Sequence, residues 1–171
     1  MKQTNWFDRK FDFATHDNIM PAIIERLAGT PLRIREKIRD VALQRLIFQP
    51  DGKWSVMEQI GHLADLEPLW QGRVTDILSG ANEIRLADLT NQKTTLAGHN
   101  KREVADLLAE FELLRKMTID QLALLSDDDL SKSSLHPRLK TPMRVQDLFV
   151  FVADHDDHHL AKMTELLKFK V

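Results

Sequence analysis

Residues 151–163 read FVADHDDHHLAKM, and the spacing within this stretch decides the fold class. At about 100° per residue, Val145, Leu148, Val152, Met163 and Leu166 fall on one narrow stripe of a helix, and His155 and His159 lie within it. The helix is expected over residues 141–169, with Thr141 as cap and Pro142 in its first position, where a missing N–H costs nothing. Two imidazoles therefore continue a hydrophobic face. Each buried polar group left unpaired costs roughly 1–3 kcal/mol, so the ring nitrogens need partners. Two solutions are open at this point: core histidines bonded to backbone or carboxylates, or two ligands one turn apart converging on a metal ion. His158 points about 120° from Val152, among Phe151, Lys162 and Glu165, and reads as a flank residue.

Working outward, three more helical stretches surround this one. Pro50-Asp51-Gly52 is a turn signal, and Ser55 with Glu58 three residues later is a capping box. A helix over residues 56–78 follows. Its stripe is Val56, Ile60, Leu63, Ala64, Trp70, Val74 and Leu78, while Leu66 and Leu69 lie to one side, a breadth that suits a bundle interior. His62 lies off that stripe, readable as a half-exposed surface residue or as a third ligand. Upstream, residues 18–46 are helical with a break at Gly29-Thr30-Pro31, where Thr30 caps and Pro31 restarts the helix. Downstream, residues 101–125 carry Val104, Leu107, Leu108, Phe111, Leu114, Met117 and Leu122 at helical spacing. Between helices two and three, residues 79–100 are polar and poorly periodic, a candidate lid. Residues 127–134 form a polar connection. Four such helices imply an all-α four-helix bundle.

Composition agrees. The chain of 171 residues fits one domain over residues 1–171, with the first 17 as an amino-terminal strap carrying Trp6, Phe7, Phe11 and Phe13. Those aromatics are expected to pack on the bundle or line a pocket, and Trp54 and Trp70 read as core. Hydrophobic residues at 43% and charged residues at 29% exclude disorder, and the lack of tyrosine with only 6 glycines and 6 prolines argues against many short strands. A net charge of −2, spread along the chain, provides no footprint for nucleic acid. The start has no continuous apolar run, so neither a secretory signal nor a membrane partner is expected and the location is expected to be cytoplasmic. With no cysteine, any metal must be held by His, Asp or Glu. The remaining histidines are His16, His99 and His136, of which His136 could carry protons at a cavity mouth and His99 sits in the candidate lid.

Several of these stretches together resemble the DinB-like family of metal-binding four-helix bundles. WSVMEQIGHLADLEPLWQGRV, residues 54–74, resembles the second-helix motif whose HL histidine binds metal, and FVADHDDHHLAKM resembles the last-helix motif with two histidines four apart. RLAGTPLRIREKI, LADLTNQKT and LHPRL extend the likeness over nearly the whole chain. The resemblance implies His62, His155 and His159 as ligands of one divalent ion, zinc foremost and nickel as the alternative. It also implies an up-down-down-up bundle with a long connection between helices two and three, and a homodimer.

Three imidazoles leave open positions on an ion, as in catalytic zinc sites. The expected function is a metal-dependent transferase moving a low-molecular-weight thiol to a small electrophile, or a hydrolase of a small molecule. The opposing class is a non-enzymatic metal-binding or stress-associated protein with a structural ion. Asp65 and Asp156 are candidates for orienting the ligand rings from behind.

Overall fold

The longest helix begins where the capping box places it: the Glu58 N–H donates to Ser55 Oγ at 3.1 Å and the Ser55 N–H donates to Glu58 Oε2 at 2.8 Å. In the computed structural model, which describes residues 3–13 and 17–169, the order is α1 (Met20–Ile38), α2 (Leu43–Leu46), α3 (Val56–Leu78), α4 (Gln92–Leu96), α5 (Val104–Leu122), α6 (Asp127–Ser131), β1 (Ser133–Leu135), β2 (Pro142–Arg144) and α7 (Val145–Leu166). His16 lies outside the described residues. Among those described, no helix is long and apolar enough to cross a membrane.

The four long helices, α1, α3, α5 and α7, make the bundle, and their directions can be read from side-chain partners. Thr30 bonds Asp156 and Lys37 bonds Thr164, so α1 and α7 run parallel. Glu67 bonds Arg115 and Gln121 bonds Gln71, so α3 and α5 run parallel. Gln59 meets His159 whereas Trp70 meets Phe151, so α3 and α7 are antiparallel. The result is up-down-down-up. Two consecutive parallel helices require the chain to travel back along a helix of about 35 Å, which explains the long stretch between α3 and α5.

Two apolar clusters fill the bundle, one around Leu27, Val74, Leu148 and Val152, the other around Ile34, Ile60, Phe111 and Met163. Between them every long helix contributes a buried polar group. Arg115 Nη1 donates to Asp156 Oδ2 at 2.6 Å, its Nε donates to Glu67 Oε1 at 2.8 Å, Thr118 donates to Glu67, and Thr30 donates to Asp156 at 2.7 Å.

Several local expectations are corrected. Helix α1 does not break at Gly29-Thr30-Pro31. The Leu27 carbonyl, which Pro31 cannot engage because it has no N–H, instead faces Arg115 Nη1 at 3.4 Å, so tertiary contact replaces the lost helical bond. The chain turns out of α1 at residues 39–42, before the single turn of α2. The last helix starts at Val145, not Thr141: Pro142–Arg144 pairs antiparallel with Ser133–Leu135, after Lys140 has taken a positive φ of 53°. The connection over residues 127–134 thus holds α6 and β1. Residues 79–100 contain α4 and the start of a 3-10 turn at His99–Lys101. Met117, placed on the apolar stripe of α5 by spacing, is half exposed.

Candidate metal centre

Burial brings His62, His155 and His159 together. One ring nitrogen from each lies within 4.8 Å of the other two, and all three side chains are buried. His155 and His159 stack one turn apart on α7, with their Nε2 atoms 3.1 Å apart. His62 faces them from α3, its ring centroid 5.3 Å from that of His155 and 4.8 Å from that of His159. Trp54 packs on the His62 ring at 4.8 Å.

Hydrogen bonds set the tautomers. Thr94 Oγ1 gives its one proton to Asp65 Oδ2 at 2.9 Å, so at 3.1 Å it must accept from His62 Nδ1–H. The His62 lone pair is then on Nε2. Gln59 Oε1 can only accept, so at 2.6 Å it takes the proton of His159 Nδ1 and likewise leaves Nε2 bare. His155 Nδ1 is buried with no partner among the described residues. Burial pushes all three imidazoles down, His62 to about 4, with His155 and His159 opposed further by neighbouring rings. They are neutral at pH 7, the state that offers lone pairs. The Nε2 atoms of His155 and His159, 3.1 Å apart, are close to the spacing of two ligand nitrogens on a tetrahedral ion at Zn–N distances of about 2.0–2.1 Å. The donor set therefore fits a divalent ion, and no carboxylate joins it among the described residues.

The supporting residues differ from those expected. Asp65 does act behind His62, but through Thr94, and its carboxylate also accepts from His99 Nε2 at 2.9 Å. His99 is buried, and Gly61 makes room for it: a Cβ there would lie 2.3 Å from the His99 ring. Asp156 instead pairs with Arg115 and, among the described residues, has no bond to a histidine. His158 is not a free flank. Trp6 covers it, with ring centroids 5.6 Å apart, and its own ring lies 5.4 Å from that of His159. Gln59 and Thr94 went unseen by periodicity; Gln59 precedes His62 by three residues on the same helix, the one signal that could have found it.

If Thr94 orients His62, Thr94→Val should weaken divalent-ion binding about 10–100-fold, the usual cost of losing an outer partner. A competition titration against a chelating dye reads this, and unchanged affinity would leave Thr94 a packing role only.

The three histidines open onto a cavity of about 630 Å³, within the range of small-molecule sites. Trp6, Trp54 and Trp70 all line it, with Phe7 and Phe151 and residues 86–89 and 91 of the long connection forming further walls. Trp70 is buried, as a core tryptophan would be, yet it faces this space. His136 also lines it and is buried rather than exposed.

A family model described as the DinB superfamily matches residues 16–163. Among solved structures the chain is similar to one described as "YfiT from Bacillus subtilis is a probable metal-dependent hydrolase with an unusual four-helix bundle topology". The two share 23% identity and a TM-score of 0.78, over 92% of this chain and 91% of that one, a likeness that carries the fold. No curated protein matches.

Proposed function

The chain belongs to the DinB superfamily, and from that premise we propose that it holds one divalent ion on His62, His155 and His159 and transfers a low-molecular-weight thiol to a small electrophile. The observation that carries this reading is the convergence of three neutral imidazoles on a cavity wall with no fourth protein ligand among the described residues. Zinc is the ion proposed, with nickel as the alternative. When bound, the ion supplies Lewis acidity, lowering the pKa of a thiol or water that takes an open position.

The chain's own residues favour thiol over water. Asp88 is the only carboxylate lining the cavity among the described residues, and it is engaged by the Thr90 hydroxyl and the backbone N–H groups of Thr90 and Gln92. That leaves no free carboxylate to take a proton from water, whereas a thiol gives up its proton far more readily. The aromatic walls suit the apolar part of an electrophile. A second reading, metal-dependent hydrolysis, is favoured by the likeness to a structure described as a probable metal-dependent hydrolase.

The test incubates metal-loaded protein with a panel of low-molecular-weight thiols and monochlorobimane, with metal-free protein and His155→Ala as controls. Conjugation above background in the loaded protein alone is expected. Cleavage of an activated ester or amide without thiol transfer would favour the hydrolase. Silence in both assays would favour a structural ion.

A further inference from the structure

Away from the three histidines, the same cavity holds a cluster of donors, of which Arg73 Nε is satisfied by the Arg85 carbonyl at 3.1 Å while the other side-chain donors have no protein acceptor among the described residues. His136 Nδ1 accepts two backbone N–H groups, from Arg138 at 3.1 Å and Leu139 at 3.2 Å. The neutral ring must then carry its proton on Nε2. That Nε2–H faces Arg73 Nη1 at 3.5 Å, and a guanidinium nitrogen can only donate. Two donors thus point at each other. A third, Arg138 Nη2, is buried without a hydrogen-bond partner. Neither Arg73 nor Arg138 is ion-paired among the described residues, although Arg73 is buried: the nearby Asp76 is held by Arg85 at 2.7 Å.

Aromatic faces hold the two guanidinium groups in place. Arg73 lies 5.3 Å from the Trp70 ring centroid, and Arg138 lies 5.3 Å from Phe7 and 5.9 Å from Phe151. These contacts, and the Arg73 Nε bond to the Arg85 carbonyl at 3.1 Å, place the guanidinium groups without neutralising them. Burial, with Arg73 and Arg138 adding repulsion, pushes His136 down to about 4, so the ring is a neutral donor at pH 7. Two unneutralised cations and one N–H around a common space are costly unless an anion completes them. Trp70 also touches His155, with centroids 5.9 Å apart, so this cluster stands one aromatic ring from the three histidines.

We propose that Arg73, His136 and Arg138 form a receptor for the carboxylate of a small acidic molecule that occupies the cavity. This rests on the reading of the cavity as a substrate site and names the substrate class. A planar carboxylate offers two oxygens to two guanidinium forks, the arrangement in which such bonds are strongest. The carboxylate could belong to the electrophile or to the thiol.

The experiment is a tryptophan-fluorescence titration of the full chain, since all three tryptophans line the cavity. Two pairs are compared: 3-phenylpropionate against 3-phenylpropionamide for the electrophile, and 3-mercaptopropionate against its methyl ester for the thiol. The expected result is at least tenfold tighter binding of the acid in one pair, a preference abolished by Arg138→Gln and kept in His155→Ala. Arg138 is only half buried, so its substitution should leave the fold intact, with circular dichroism as the check; Arg73→Lys is the second variant. Equal binding within both pairs, absence of binding, a preference surviving Arg138→Gln, or one lost in His155→Ala would overturn the proposal. Tighter binding of phenyl phosphate than of 3-phenylpropionate would overturn the assignment to a carboxylate. Because binding is read without turnover, failure of the transferase reading leaves this result standing, and the reverse also holds.

Discussion

His155→Ala should strip the protein of its divalent ion, lowering affinity by more than the roughly 100-fold that even a lost outer partner can cost. Its Nε2 stands 3.1 Å from that of His159, and no carboxylate among the described residues is placed to substitute. His62→Ala and His159→Ala should behave alike. His158→Ala should retain the metal, because its contact with His159 is ring against ring and its nitrogens lie outside the convergent set. Elemental analysis of untagged protein reads all four. Full occupancy in His155→Ala, or loss in His158→Ala alone, would remove the ligand assignment. Removing the ion from the wild type should lower the melting temperature without erasing the helical spectrum: a ligand at about a thousand times its Kd adds about 4 kcal/mol, and both apolar clusters remain. Unfolding on chelation at room temperature would instead mark a structural ion.

How much of this centre is legible in the sequence depends on how far each residue acts from its own helix. His155 and His159 can be seen because a single stripe, Val145 to Met163, passes through them and is buried along its length. His62 cannot be chosen by spacing: α3 is covered on several sides, and only the likeness of residues 54–74 to a family motif selects it. Thr94 is invisible, being 32 residues from its partner in a segment without periodicity. His158 is misread for a related reason. Helical phase measures distance from the bundle core, and the flank it assigns is covered by Trp6, an amino-terminal residue that phase knows nothing about. Pro31 and Pro142 show the two ways in which punctuation fails. The first is absorbed inside a helix because Arg115 lies close to the freed carbonyl, and the second sits in a strand paired with residues 133–135 that carry no strand signature.

The same Arg115 should be the most stability-critical polar side chain in the bundle. It is 2% exposed and is ion-paired to Glu67 at 2.6 Å and to Asp156 at 2.6 Å, two carboxylates supplied by different helices. Arg115→Ala would leave both acids buried without their cation, and breaking a buried pair in this way costs about 3–5 kcal/mol. A chain of this size has about 5–15 kcal/mol in total, so the variant should sit near the edge of folding at room temperature. Burial already pushes the Glu67 carboxyl up, so in Arg115→Ala that group should take up a proton at higher pH than in the wild type, and the loss should be partly recovered by Glu67→Gln in the same chain. Urea denaturation followed by circular dichroism measures both. A loss below about 1 kcal/mol would mean that the carboxylates find water once Arg115 is gone, and the layer would then set the register of the four helices without holding them together. Because Asp156 directly follows His155 on α7, the double variant is also to be assayed for metal: unchanged occupancy is expected, since the His62 and His159 rings are held by Thr94 and Gln59 and none of the three rings is bonded to the acids of this layer among the described residues.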